Sequence, residues 1–369
     1  MWEQREGMEK LNQDKRKLAK ESPNSTRLVA AAGLFLLAGL FLLPLLLMGG
    51  GDERPAKSPA PTAGLPLDRV VVSPLPETDR KTTVRVALGD GEVLSLPLDK
   101  YLWRVVAAEM PASFELEALK AQTVAARTYT LAKMERVSAS HPDADVCSDI
   151  TCCQAYIDPE AAAGNWGDRA EEYTAKIAAA VAETDGMTAL YENAPIQAVF
   201  FSSAAGRTVD AVEVWGNSVP YLSGVDSPEG EEDVPNYHSE VHVSAEEFKR
   251  ILLGQYPGAD LSGEPSGWFS APVANSAGGV AYVEIGGVEV RGGSLRTLFG
   301  LRSTNFTLSA GEEGITFSVT GYGHGVGMSQ YGANTLAKQG KSYDEILKWY
   351  YTGIEVAAYA PEVPAESVN

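Results

Sequence analysis

Histidine and cysteine are scarce in this chain, four and three among 369 residues, and all three cysteines fall between positions 147 and 153. An odd number leaves one thiol over in any disulfide scheme. Positive charge is also short: 30 Lys and Arg stand against 49 Asp and Glu, for a net charge of −19. That balance argues against nucleic acid as a partner and allows an anionic polymer only where a cleft is locally basic. No GxSxG elbow, P-loop or HExxH is present, so the usual signatures of a serine hydrolase, a nucleotide hydrolase and a zinc protease are missing. No internal repeat is found, and the 44% hydrophobic content is enough to bury a sizeable core.

The chain is not uniform. Leu28 to Met48 reads LVAAAGLFLLAGLFLLPLLLM without a charge. At about 1.5 Å per residue it spans a hydrocarbon core of roughly 30 Å, which predicts a transmembrane helix. A signal peptide is the competing reading, but the run is long for one and no good small-x-small cleavage site follows. Lys15, Arg16, Lys17, Lys20 and Arg27 precede it, and Asp52 and Glu53 follow. The positive-inside rule then makes residues 1–27 a cytoplasmic tail and places the rest outside the cytoplasmic membrane. Residues 49–83 are rich in Pro, Gly and Ala with little apolar periodicity, the composition of a tether. The folded part is expected over 84–358, followed by a polar tail, 359–369.

Within it, Val84 to Pro97 alternates around a Gly-Asp-Gly turn, a β-hairpin pattern. Lys100 to Glu109 reads as a helix with Asp99 as N-cap and Pro111 soon after its end. A second helix is expected from Glu115 to about Val137 and a third from about Ala170 to Glu183, followed by short strands. The helical front and β-rich remainder indicate an α+β fold, with an inserted lobe near 244–306.

Leu98, Leu102, Val105 and Val106 form the apolar stripe of the first helix, and Glu109 takes the next place on it. A carboxyl group aimed where its neighbours are buried is costly to ionise, so its pKa should rise, as a general acid working near neutral pH requires. A frayed helix end with Glu109 in solvent fits the same pattern. Lys120 and Arg127 lie seven residues apart on the second helix, where they could face Glu109 or form an ordinary solvated flank. The loop SHPDADVCSDITCCQ, 140–154, holds His141, Cys147, Cys152 and Cys153. Thiolate and imidazole ligands suit zinc; a disulfide from Cys147 to Cys152 or Cys153 is the alternative. Near the C-terminus, GYGHGVGMSQYGA offers His324, Ser329, Gln330 and Tyr331 on a glycine-dense turn suited to close approach by a hydroxyl-rich ligand, although a lone His in such a turn is more often structural. Ser202 and Ser203 make a weaker cluster with Gly206.

These motifs in this order, YLWRVVAAEMPASFELEALKAQTVAARTY, the two serines and glycine after Phe201, EVWGNSVPYLSGVDSP, LRSTNF and GYGHGVGMSQYGA, resemble the stage II sporulation protein D family of lytic transglycosylases over about Val84 to Ile354. The resemblance implies cleavage of the β-1,4 bond between N-acetylmuramic acid and N-acetylglucosamine in peptidoglycan, on strands stripped of stem peptides, during engulfment of a forespore. It puts the catalytic glutamate at Glu109, leaving a 1,6-anhydro end, and makes a second catalytic carboxylate unnecessary. It implies structural zinc at His141, Cys147 and Cys153, with Cys152 as a fourth ligand. A sporulation amidase/endopeptidase and a membrane anchor protein are the implied partners. The family also includes non-enzymatic amidase enhancers, which is the alternative function. One departure is AAG at 204–206, where the family commonly carries a second glycine.

Overall fold

In a computed structural model, the described residues are 77–359 except 90, 137, 312 and 313. All lie in the compact unit Val71–Asn369. The expected tail 1–27, the helix 28–48, most of the tether and the C-terminal tail lie outside them. No helix among the described residues is long and apolar enough to cross a membrane.

The fold begins earlier than expected. A short helix, α1 (Thr78–Lys81), precedes the hairpin β1 (Thr83–Ala87) and β2 (Val93–Pro97), and its Asp79 is buried. Helix α2 (Leu98–Glu109) starts directly from β2 with Pro97 as N-cap. Asp99 therefore sits in the first turn, where its negative charge suits the helix dipole, and does not cap it. Leu98, Leu102, Val105 and Val106 are buried as their spacing predicts. The helix ends because Met110, forced out of helical geometry by the following Pro111, is extended.

Helix α3 (Leu116–Met134) is buried almost all round, against α2 and the elements that follow, and so carries no solvated flank for most of its length. Its Thr123, Thr128 and Thr130 satisfy their hydroxyls by donating to carbonyls one turn back. Strand β3 (Val146–Cys147) lies parallel to β1 and carries one of the cysteines into the fold. Helices α4 (Pro159–Trp166) and α5 (Ala170–Glu183) and strands β4 (Met187–Tyr191), β5 (Ala194–Pro195) and β6 (Phe200–Phe201) follow, then α6 (Ala211–Trp215).

A second hydrophobic core, centred on Phe248, Phe299 and Phe317, gathers residues 241–319, a wider span than the lobe expected over 244–306. It is built from β7 (His238–Val243), α7 (Ala245–Gln255), β8 (Val273–Ala274), β9 (Val280–Ile285), β10 (Val288–Arg291), α8 (Gly292–Phe299), β11 (Phe306–Gly311) and β12 (Gly314–Thr320). The flanking strands belong to it because β12 pairs with both β7 and β11 across the whole insertion. The chain then returns to the main body through β13 (Met328–Ser329), which pairs parallel with β6, and closes with α9 (Gln330–Lys338), α10 (Tyr343–Tyr350) and β14 (Glu355–Ala358) on β4. The result is α+β.

Candidate active site

Three segments distant in sequence meet at the end of α2. Glu109 is half-buried; its Oε1 accepts the backbone N–H of Ala155 at 2.6 Å, and its Oε2 lies 3.5 Å from the side-chain amide of Gln330, the first residue of α9. Burial raises the Glu109 pKa above the ordinary carboxylate value, and the hydrogen bonds from Ala155 and Gln330 oppose the rise only in part. No cation is among the causes of the shift, and the carboxyl group keeps its proton to higher pH than an ordinary carboxyl group, a change suited to proton donation.

Ala155 comes directly after the cysteine loop. His141, Cys147, Cys152 and Cys153 place one donor atom each within 4.8 Å of one another. His141 Nδ1 donates to the carbonyl of Ala144 at 3.1 Å, which fixes the tautomer and leaves Nε2, 3.4 Å from Cys153 Sγ, as a ligand atom. Nitrogen and sulfur donors gathered around one point fit a four-ligand soft-metal site, with the carbonyl bond on the other ring nitrogen that such a histidine normally makes. The cysteines are free, and Cys152 and Cys153 sulfurs stand 3.9 Å apart, far from bonding distance.

The glycine-dense turn has a clear steric cause. Gly321, Gly323, Gly325 and Gly327 all have positive φ, and a Cβ on any of them would run into residues 199–209. This packing brings the turn against the serine cluster, with Ser203 and Tyr322 exchanging backbone hydrogen bonds at 3.0 and 2.8 Å. Ser203 is 2% exposed and its hydroxyl has no partner. It lines a shallow cleft with Ala205, Arg207, Asn275, Asn305 and Gly325, between the main body and the lobe. Glu109 does not line that cleft. Ser202 is half-buried, and its carbonyl accepts from Tyr331 N. Tyr331 is half-buried and packs edge-on against Phe114.

Four residues expected to meet a ligand are occupied elsewhere. Arg127 is fully buried and grips the Asp79 carboxylate from Nε at 2.9 and 3.0 Å and from Nη2 at 2.5 Å, with a further bond to the Met187 carbonyl. Lys120 is held by Glu117 at 2.8 Å and Glu183 at 2.6 Å. Arg127 turns to α1, and Lys120 to the end of α5 and to Glu117 on its own helix, because these are where carboxylates await them. His324 uses Nε2 to donate to Phe200 O at 3.1 Å and Nδ1 to accept from Val326 N at 3.2 Å. Burial, reinforced by the charge of Arg296, brings its pKa down to about 4, so it is neutral and structural. Ser329 is the N-cap of α9 and also donates to the Glu229 carboxylate.

Glu229 was not legible as a site residue. It is 4% exposed and accepts from Ala204 N at 2.7 Å, Ser227 Oγ at 2.6 Å and Ser329 Oγ, tying the serine loop, the SPEG segment and the start of α9 together. A carboxylate beside serines in an acidic loop gives no periodic signal, so only the packing reveals it.

A model of the family described as Stage II sporulation protein matches residues 89–191, which holds both Glu109 and the cysteine loop. Stage II sporulation protein D of Bacillus amyloliquefaciens is 39% identical over 267 residues, covering 72% of this chain and 75% of that one. The chain belongs to the stage II sporulation protein D family. The family's protein from Bacillus subtilis (strain 168) is 38% identical over 266 residues, 72% of this chain and 76% of its own. An amidase enhancer of the same organism is 30% identical over 313 residues, covering 69% of this chain and 40% of the enhancer. This sporulation protein is thus related to an amidase enhancer as well as to the namesakes of its family.

Proposed function

We propose that this protein is a membrane-anchored lytic transglycosylase of peptidoglycan that acts outside the cytoplasmic membrane, in the septal space, during sporulation engulfment. The observation that carries this reading is Glu109: a carboxyl group whose pKa is raised by burial, unpaired with any cation, and aimed by an N–H from Ala155 and the amide of Gln330. In its protonated form it donates to the glycosidic oxygen between the muramoyl and glucosaminyl units as the C1–O bond breaks. The resulting carboxylate then takes the proton of the muramoyl C6 hydroxyl while that oxygen attacks C1, closing a 1,6-anhydro ring with no water consumed. One group serves as acid and then as base, so no second catalytic carboxylate is needed. Gln330 positions it; Ser202, Ser203 and Tyr331 are the proposed glycan-facing residues.

Zinc held by His141, Cys147, Cys153 and Cys152 is proposed as a structural ion. Its role is to pin the loop that ends at Ala155, whose N–H aims Glu109. Peptidoglycan strands are the substrate, with a sporulation amidase/endopeptidase and a membrane anchor protein as partners. Mass spectrometry of stem-peptide-free glycan treated with the wild type and Glu109→Gln tests the activity: 1,6-anhydromuramoyl ends should form only with the wild type. The kinship to an amidase enhancer supports a second reading, a non-catalytic glycan platform. Pure protein that releases nothing from glycan yet accelerates a cognate amidase would establish that reading instead.

A further inference from the structure

The segment EVWGN, residues 213–217, has no part in the reading above. Its Trp215 closes α6 and is 42% exposed. An exposed aromatic side chain is by itself ordinary. Trp215 stands out because two contacts of its short helix lead to the cleft that Ser203 lines. The indole lies against the His324 ring, with centroids 6.0 Å apart, and His324 in turn meets the Phe201 ring at 5.5 Å. Phe201, Gly323 and Gly325 line the cleft, so a single ring separates the indole from the cleft wall. From the same helix, the Glu213 carboxylate accepts the N–H of Ser276 at 2.9 and 3.2 Å. The residues on either side of Ser276, Asn275 and Ala277, line the cleft from the lobe.

The chemistry of the cleft suits a small neutral group. Its lining holds no carboxylate, and its one charged side chain, Arg207, gives its guanidinium to Asp226 at 2.7 Å and to the Gly224 carbonyl at 2.6 Å. Ala204, Ala205 and Gly279 add little bulk. Asn275 Oδ1 accepts the N–H groups of Ala277 and Gly279 at 3.0 and 2.9 Å, and Asn305 Nδ2 donates to the Ala277 carbonyl at 3.3 Å, which fixes the lobe wall. The Ser203 hydroxyl is buried without a partner, a state that costs free energy until a ligand completes it. An acetamido group offers what this lining lacks: a carbonyl oxygen and an N–H for the hydroxyl, a methyl for the alanine and glycine surface, and no charge. The sugar ring that carries it is too large for a shallow cleft, but its C–H face is what an exposed indole covers.

We propose that Trp215 and this cleft form a second sugar subsite, apart from Glu109, in which the indole stacks on the ring of an N-acetylhexosamine and the cleft takes its acetamido group beside Ser203. This rests on the peptidoglycan reading for its ligand, a strand of β-1,4-linked N-acetylhexosamines. Glu109 does not line the cleft, so the subsite holds the strand and takes no part in breaking the bond. A glycan platform without catalysis needs the same grip, so the subsite serves either reading of the protein.

The test is calorimetry on the full-length protein in a zwitterionic detergent, which brings no sugar headgroup to compete. Every sample carries Glu109→Gln, so that no strand is cut. Two uncharged probes share the β-1,4 linkage: a tetramer of N-acetylglucosamine and a tetramer of glucose, which has hydroxyls in place of the acetamido groups. The N-acetylated tetramer should bind more tightly. Adding Trp215→Ala should weaken its binding about threefold to tenfold, the scale of one aromatic contact, and Trp215→Phe should weaken it less. Adding Ser203→Ala should narrow the gap between the two tetramers while the melting temperature holds or rises, because an unpaired buried hydroxyl has been removed. Equal affinity for the two tetramers, or affinity unchanged in a folded Trp215→Ala protein, would overturn the subsite. The enzyme reading is judged apart, from the anhydro ends released by protein with Glu109 intact. Cleavage with no effect of Trp215→Ala on binding sinks the subsite alone; binding as expected without cleavage sinks the enzyme reading alone.

Discussion

Replacing Arg127 by methionine is the sharpest test of the fold. Its guanidinium and the Asp79 carboxylate are 0% and 1% exposed and joined at three atom pairs between 2.5 and 3.0 Å. Removing one partner of such a pair leaves the other charge stranded in a place with little water, at a cost of about 3–5 kcal/mol. For a domain of this size about 1 kcal/mol moves the melting temperature by roughly 2–4 °C, so the loss should be roughly 6–20 °C. Asp79→Asn should cost a similar amount. Arg127→Met with Asp79→Leu should recover much of it, because an apolar pair leaves no charge behind. Thermal unfolding followed by circular dichroism reads all three, with glycan binding measured on the folded fraction. A single variant that melts within about 2 °C of the wild type but no longer binds glycan would refute the reasoning and return Arg127 to the cleft.

Other outcomes follow from the same structure. The rate of anhydro-end formation should fall as pH rises through the raised pKa of Glu109, since the first step needs the protonated acid; a rate that climbs with pH across that range would argue against it. The same shift bears on stability: a carboxyl group with a raised folded pKa favours the fold at low pH, and that advantage is lost as pH rises through the folded value. Glu109→Gln should therefore stabilise the domain more at about pH 8 than at about pH 5, as a pair of melting curves will show. Glu229→Ala leaves three donors facing a gap, at about 1–3 kcal/mol for each one left unsatisfied, and should unfold the protein more readily than Ser329→Ala, for which loss of a helix cap costs about 1 kcal/mol; urea titration ranks the two. Protein stripped of metal by a strong chelator should lose both thermal stability and activity, and added zinc should restore both. Unchanged melting curves with and without chelator would rule out a structural ion.

The sequence reached furthest where one element carries its own signal. The stripe Leu98, Leu102, Val105, Val106 marks the face of α2, and Pro111 its end, so Glu109 stands out from residue spacing alone. The histidine and cysteines group for a similar reason: a short loop brings them together whatever the rest of the chain does. Periodicity misled at Arg127, since a buried cation on a helix looks the same in sequence as a solvated one until its carboxylate is found. That carboxylate, Asp79, sits in a segment whose composition reads as tether, because one turn of helix held by the Arg127 ion pair and by N–H bonds to Asp185 has no pattern of its own.

What the sequence determined by itself was therefore local: helix faces, the hairpin, the cysteine loop and the glycines that let a turn lie flat. What only the tertiary structure decided was partnership. It set Ala155 and Gln330 on Glu109, drew Lys120 and Arg127 away to other acids, and closed Glu229 around two serines and a backbone N–H. A hydrogen bond or an ion pair forms between atoms a few ångströms apart, and for residues separated by tens or hundreds of positions that distance is fixed by packing alone.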